Sequence, residues 1–112
     1  MNETQFKKKV QQFLTDNGAW HVKFMGTQYT PSGVPDILAC IHGRFYGIEL
    51  KTDHGVASPL QLRQLEKIRQ AGGQGILLRP SGFDDFRKEV LAWIHSATAE
   101  SNNGTNADSA GT

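Results

Sequence analysis

Apolar residues fall at helical spacing between Glu3 and Asn17, where Phe6, Val10, Phe13 and Leu14 share one face and Asn17-Gly18 supplies a stop. Ala19 to Met25 (AWHVKFM) reads as a strand, and Gly26 to Gly33 (GTQYTPSG) as a polar loop. Two apolar runs then flank a tight turn at His42-Gly43 or Gly43-Arg44, which predicts a hairpin. Ser58-Pro59-Leu60-Gln61 opens a second helix, with serine as N-cap, proline in the first helical position and glutamine three residues after the cap. Leu62, Leu65 and Ile68 give that helix its apolar stripe, and Gly72-Gly73 ends it. Gly75 to Pro80 (GILLRP) is a short strand, and Phe83 to His95 a third amphipathic helix through Phe86, Val90, Trp93 and Ile94. The polar tail of residues 97–112 is predicted to be disordered. The order α-β-β-β-α-β-α predicts a single α/β domain over residues 1–96, a mixed β-sheet flanked by helices.

Three charged side chains interrupt the hairpin VPDILACIHGRFYGIELK: Asp36, Glu49 and Lys51. A charge buried without a partner is costly, so each needs a counter-charge, a metal or a route to solvent. With a two-residue turn, Asp36 stands opposite Glu49 or Lys51, and strand alternation puts all three on one face at the end away from the turn. Ile37, Ala39, Ile41, Tyr46, Ile48 and Leu50 fill the opposite face, and the pattern predicts that both faces are covered.

Charge adds little to this picture. Twelve Lys plus Arg against eleven Asp plus Glu is nearly neutral, and the tail holds two acids and no base. The remainder is mildly basic, compatible with nucleic acid without arguing for it. The single cysteine, Cys40, lies in an apolar run and is expected to be a buried thiol in a reducing cytoplasm. No stretch has the length of a membrane span, and MNETQFKKKV lacks a signal-peptide apolar segment, so no membrane association is expected.

Two carboxylates on adjacent strands, with the intervening main-chain carbonyl of Leu50, offer the hard oxygens that suit Mg²⁺. Lys51 would then orient or deprotonate an attacking water and stabilise charge on a phosphorane. The same residues also read as a strand-end ion pair with Asp36 capping a turn. His21, His42, His54 and His95 lack zinc-ligand spacing. The hydroxyls, amide and ring of the Gly26–Gly33 loop suit contacts to a DNA backbone or stacking on an unpaired base. Lys7-Lys8-Lys9 reads as a solvated face that can meet phosphates if the first helix borders the site. Trp20 and Trp93 are expected in the core.

Gly33-Val34-Pro35-Asp36, Gly47-Ile48-Glu49-Leu50-Lys51 and Ser58-Pro59-Leu60-Gln61 together resemble the PD-(D/E)xK nuclease superfamily, in particular the VRR-NUC family. The resemblance runs from about Glu3 to Glu89 and includes Ser32-Gly33, Ala71-Gly72-Gly73 and Leu78-Arg79-Pro80-Ser81. It implies a restriction-endonuclease-like fold and a metal-dependent DNA nuclease, with Asp36 and Glu49 as metal ligands and Lys51 as the catalytic lysine. It further implies Mg²⁺, with Mn²⁺ able to substitute, and no nucleotide cofactor. Glu3 matches the family's acid at the start of the first helix, although a first-turn acid also suits the helix dipole. Gln61 matches an element that points toward the site, although Ser58 and Gln61 also satisfy a capping box. Among the loop and helix residues, Lys7, Tyr29, Ser32 and Gly33 are the candidates for DNA contact. Stand-alone bacterial and phage members suggest a homodimer that cuts branched DNA, above all four-way junctions. Ile76-Leu77-Leu78 and the third helix are candidate dimer surfaces or core. A less selective flap, nick or single-strand nuclease and a non-catalytic DNA-binding module are the alternatives.

Overall fold

The structure, a computed structural model, describes residues 1–104. Helix α1 (Glu3–Asp16) starts at Asn2, whose side chain accepts from the Gln5 amide while the Gln5 side chain accepts from that of Asn2. Strands β1 (Trp20–Lys23), β2 (Ile37–Ile41) and β3 (Arg44–Leu50) follow, then α2 (Pro59–Gln70), β4 (Gln74–Leu78), a 3-10 turn (Pro80–Gly82) and α3 (Phe83–Gly104). The sheet order is β1-β2-β3-β4, antiparallel except for the parallel β3–β4 pair that α2 connects.

The hairpin turn is the two-residue His42-Gly43 form. Both residues have positive φ, 46° and 83°, as a type I′ turn requires, and Ile41 pairs with Arg44. Ile37 therefore pairs with Ile48, and the next position of that register sets Asp36 opposite Glu49.

One face of the sheet forms the core. Ile37, Ala39, Ile41, Tyr46, Ile48 and Leu50 are buried there against Phe6, Val10 and Leu14 of α1 and Phe83, Phe86 and Val90 of α3. Trp93 joins this core as expected, its Nε1 donating to the Ile41 carbonyl at 2.7 Å. On the other face α2 lies close to β3 and β4 because two strand glycines leave room for it. A Cβ on Gly47 would sit 2.4 Å from Ile68 Cδ1, and one on Gly75 would sit 2.2 Å from the Leu65 carbonyl oxygen.

That helix covers only half of its face, which corrects three expectations. The β1–β2 side is open rather than covered. Cys40 is an exposed thiol, not a buried one, and Trp20 is 62% exposed rather than in the core. Trp20 pairs with Cys40 and Cys40 with Phe45, so they form one row across the open face.

Helix α3 also outruns its expected end at His95, reaching Gly104. Ala97, Ala99 and Glu100 extend a helix already nucleated by its packed first turns, at little cost per residue. The rest of the tail expected to be disordered, residues 105–112, lies outside the described residues. No described helix is long and apolar enough to cross a membrane.

Candidate active site

Among the described residues Glu49 is the one buried charged residue, 2% exposed at the penultimate position of β3. Its Oε2 accepts a hydrogen bond from Gln61 Nε2 at 2.9 Å and lies 3.9 Å from Lys51 Nζ. Its Oε1 is buried with no hydrogen-bond partner among the described residues. Burial, then the negative charge of Asp36, push the Glu49 carboxyl up from 4.5 to about 7, with Lys51 opposing them more weakly.

Asp36 is half-buried just ahead of β2. Its Oδ2 accepts from the Leu50 amide at 2.9 Å, which ties its carboxylate to β3, and its carbonyl accepts from the Phe24 amide at 2.8 Å. The side chain of Leu50 is in the core. Lys51 follows the end of β3, its amide donating to the Leu78 carbonyl at 3.0 Å, and its side chain is 19% exposed. The three charges converge at one end of the sheet because a strand pair in this register has no other way to present them.

Gln61 both caps α2 and bonds to Glu49. Its side-chain oxygen accepts from the Ser58 amide at 2.9 Å and its own amide donates to Ser58 Oγ at 3.1 Å, while its Nε2 holds Glu49. A side-chain amide has both an acceptor and a donor end, so the cap aims the donor into the site.

The loop before Asp36 is pinned to the same helix. Gly33 has φ 79°, and a Cβ there would lie 2.6 Å from the backbone C and O of Leu60. Gln64 Nε2 donates to the Ser32 carbonyl at 3.0 Å. An open cavity of about 320 Å³ lies between loop and helix, lined by Phe24, Thr27, Thr30, Ser32, Asp36 and Gln61.

Other expected residues stand further off. Glu3 is exposed in the first turn of α1 and raises the Glu49 carboxyl only as the weakest of its charged neighbours. Lys7, half-buried, lies one turn further along the same side of α1. Among the described residues no three His, Cys, Asp or Glu side chains are grouped closely enough to hold a metal by themselves. The site is thus a carboxylate pair, a lysine and a glutamine.

Two positioning residues were missed in the sequence. Gln64 fixes the loop, and Arg79 Nη1 donates to the carbonyls of Thr52 at 2.7 Å and Gly55 at 2.6 Å, bracing the segment after Lys51. Arg79-Pro80-Ser81 stands out as a motif, but nothing in its spacing shows which loop it would hold.

This sheet, with α1 and α3 on one side and α2 on the other, is the restriction-endonuclease-like fold. Among solved structures, a VRR_NUC domain is similar at a TM-score of 0.60 and 24% identity, over 83% of this chain and 94% of that one. Hjc, a Holliday junction resolvase from the archaeal hyperthermophile Archaeoglobus fulgidus, is similar at a TM-score of 0.52 and 24% identity, over 69% of each chain. No protein-family model and no curated protein matches the chain.

Proposed function

We propose that this protein is a divalent-metal-dependent DNA endonuclease whose centre is Asp36, Glu49 and Lys51, and that it cuts branched DNA as a homodimer. The observation that carries this reading is the buried, unpartnered Oε1 of Glu49 beside a second carboxylate. Burial and the neighbouring charge of Asp36 make the Glu49 carboxyl resist ionisation unless a cation joins it. The donor set fits a hard ion: Asp36 and Glu49 carboxylates, with the Leu50 carbonyl as a third oxygen, suit Mg²⁺, and Mn²⁺ in its place. When bound, such an ion polarises a phosphodiester, activates a water and offsets negative charge in the transition state.

The chain's own residues account for the rest. Gln61 engages Oε2 of Glu49 and so leaves Oε1 free as a ligand. Lys51 orients or deprotonates the attacking water, and its ammonium stabilises charge on the phosphorane oxygens. Glu3 adds negative charge on the α1 side. Lys7 meets phosphate there, and Ser32 and Gly33 present main chain to the DNA backbone from the loop.

One active centre per chain nicks one strand. A four-way junction has near two-fold symmetry and needs two nicks, which a symmetric pair of sites supplies. The shared fold with a Holliday junction resolvase supports this substrate class.

The test is cleavage of an end-labelled four-way junction, a flap and a linear duplex in Mg²⁺, Mn²⁺ or EDTA. Paired, symmetric nicks in the junction support the proposal. Equal cutting of all three keeps the nuclease and removes the junction preference. Binding without cutting in either metal leaves a DNA-binding module.

A further inference from the structure

The loop that lines the site carries an exposed aromatic ring between two of its lining threonines. Tyr29 is 87% exposed at the tip of the loop, in a turn closed by the Thr30 amide on the Thr27 carbonyl at 3.2 Å. Thr30 Oγ1 braces the same turn twice, accepting from the Thr27 amide at 3.0 Å and donating to the Thr27 carbonyl at 2.9 Å. Thr27 Oγ1 in turn accepts from the Tyr29 amide at 3.2 Å. The two threonines that hold this turn line the cavity that contains Asp36 and Gln61.

Leu60, 54% exposed, belongs to the helical turn on which Gly33 rests, and Val56, 84% exposed, lies in the segment between Lys51 and α2. Met25, 71% exposed, precedes the loop. Contacts to the sugar-phosphate exterior of a duplex are made by cations, hydroxyls and amides, and the ring of Tyr29 offers surface beyond what such contacts use. An exposed aromatic ring gains most by stacking on a base face, and an unpaired base presents that face most fully.

We propose that Tyr29 is the specificity-determining residue of this site, a braced platform on which an unpaired base stacks beside the scissile phosphate. Selection of branched DNA then lies in the subunit itself, because fork and junction centres offer unpaired or easily unstacked bases and a blunt duplex does not. This rests on the reading that the Asp36–Glu49 site acts on DNA, but it is tested without cleavage.

Binding of the full chain is measured in EDTA by fluorescence anisotropy. The two probes are a forked DNA carrying a fluorescent adenine analogue at its first unpaired position and a blunt duplex of equal length. The wild type is expected to favour the fork and to quench the analogue. Tyr29→Ala lowers the fork-to-duplex affinity ratio about tenfold, within the range for loss of one base–aromatic stack, and abolishes quenching. Tyr29→Phe keeps the ratio within about twofold, since stacking needs the ring and not the hydroxyl. Thermal unfolding of both variants should match the wild type, as the side chain is solvent-exposed. An unchanged ratio in Tyr29→Ala, an unquenched analogue on the wild type, or no binding of either DNA overturns the proposal. Fork preference without metal-dependent cleavage would leave it standing and remove the nuclease reading.

Discussion

If Glu49 is held ready for a cation, the metal-free fold must bear a cost for it, and Glu49→Gln should relieve that cost. Folding raises this carboxyl from 4.5 to about 7, chiefly through burial and the charge of Asp36. The protonated form is therefore favoured by folding. The contribution is fully present below about pH 4.5 and is lost as pH rises through about 7. At about 1.4 kcal/mol per pKa unit, the loss is about 3 kcal/mol. Glutamine keeps the shape, and its amide oxygen can still accept from Gln61 Nε2, but it has no charge to lose. In EDTA the variant should match the wild type at about pH 4 and exceed it by about 2–3 kcal/mol at about pH 8.5, or roughly 10–20 °C in Tm. Urea and thermal unfolding at the two pH values measure this difference. Mg²⁺ should then stabilise the wild type and not the variant. A stability gap that does not change with pH, or a variant weaker than wild type at the higher pH, would refute the reasoning.

The same geometry sets three further expectations. Apparent Mn²⁺ affinity, read by titration calorimetry, should rise about tenfold per pH unit below about 7 and level off above it, because the ion displaces the proton of the Glu49 carboxyl. Gly33→Ala should cost about 2–4 kcal/mol in urea unfolding and reduce cleavage, since its Cβ would sit 2.6 Å from the Leu60 backbone at a φ of 79°. Arg79→Ala should cost about 2 kcal/mol by removing the donor of Thr52 and Gly55, and should lower the cleavage rate through the loosened Lys51 segment, while Arg79→Lys fails to restore it.

What could be read from the sequence depended on whether neighbours in sequence or in space decide the outcome. Helix starts are local, and Ser58, Pro59 and Gln61 define the start of α2 at the residue where it occurs. The convergence of Asp36, Glu49 and Lys51 rested on the turn length alone. Gly43 permits that turn, but two turn placements were open until the positive φ of His42 and Gly43 fixed Asp36 opposite Glu49. Burial of Trp20 and Cys40 was misread because alternation gives a strand's two faces but not the helix that covers them. The clue lay elsewhere, in Gly47 and Gly75, which mark where α2 approaches and so leave β1 and β2 open on that side. Gln61 could be assigned neither to the cap nor to the site by its spacing, and it serves both because the two ends of its amide do different work. Gln64 and Arg79 act on segments far away in sequence, across 32 and 24–27 residues, a distance at which no local pattern predicts a partner.

The proposed function requires the Asp36–Glu49 pair and Lys51 to form one metal-dependent hydrolytic centre. Its most direct test is the rate at which nicked strand appears from a four-way junction with saturating Mg²⁺, for the wild type, Asp36→Asn and Lys51→Ala at matched DNA occupancy. The account predicts nicking by the wild type alone, abolished by EDTA, with junction binding largely retained in both variants. Nicking that persists in Asp36→Asn, or that proceeds in EDTA, would contradict it.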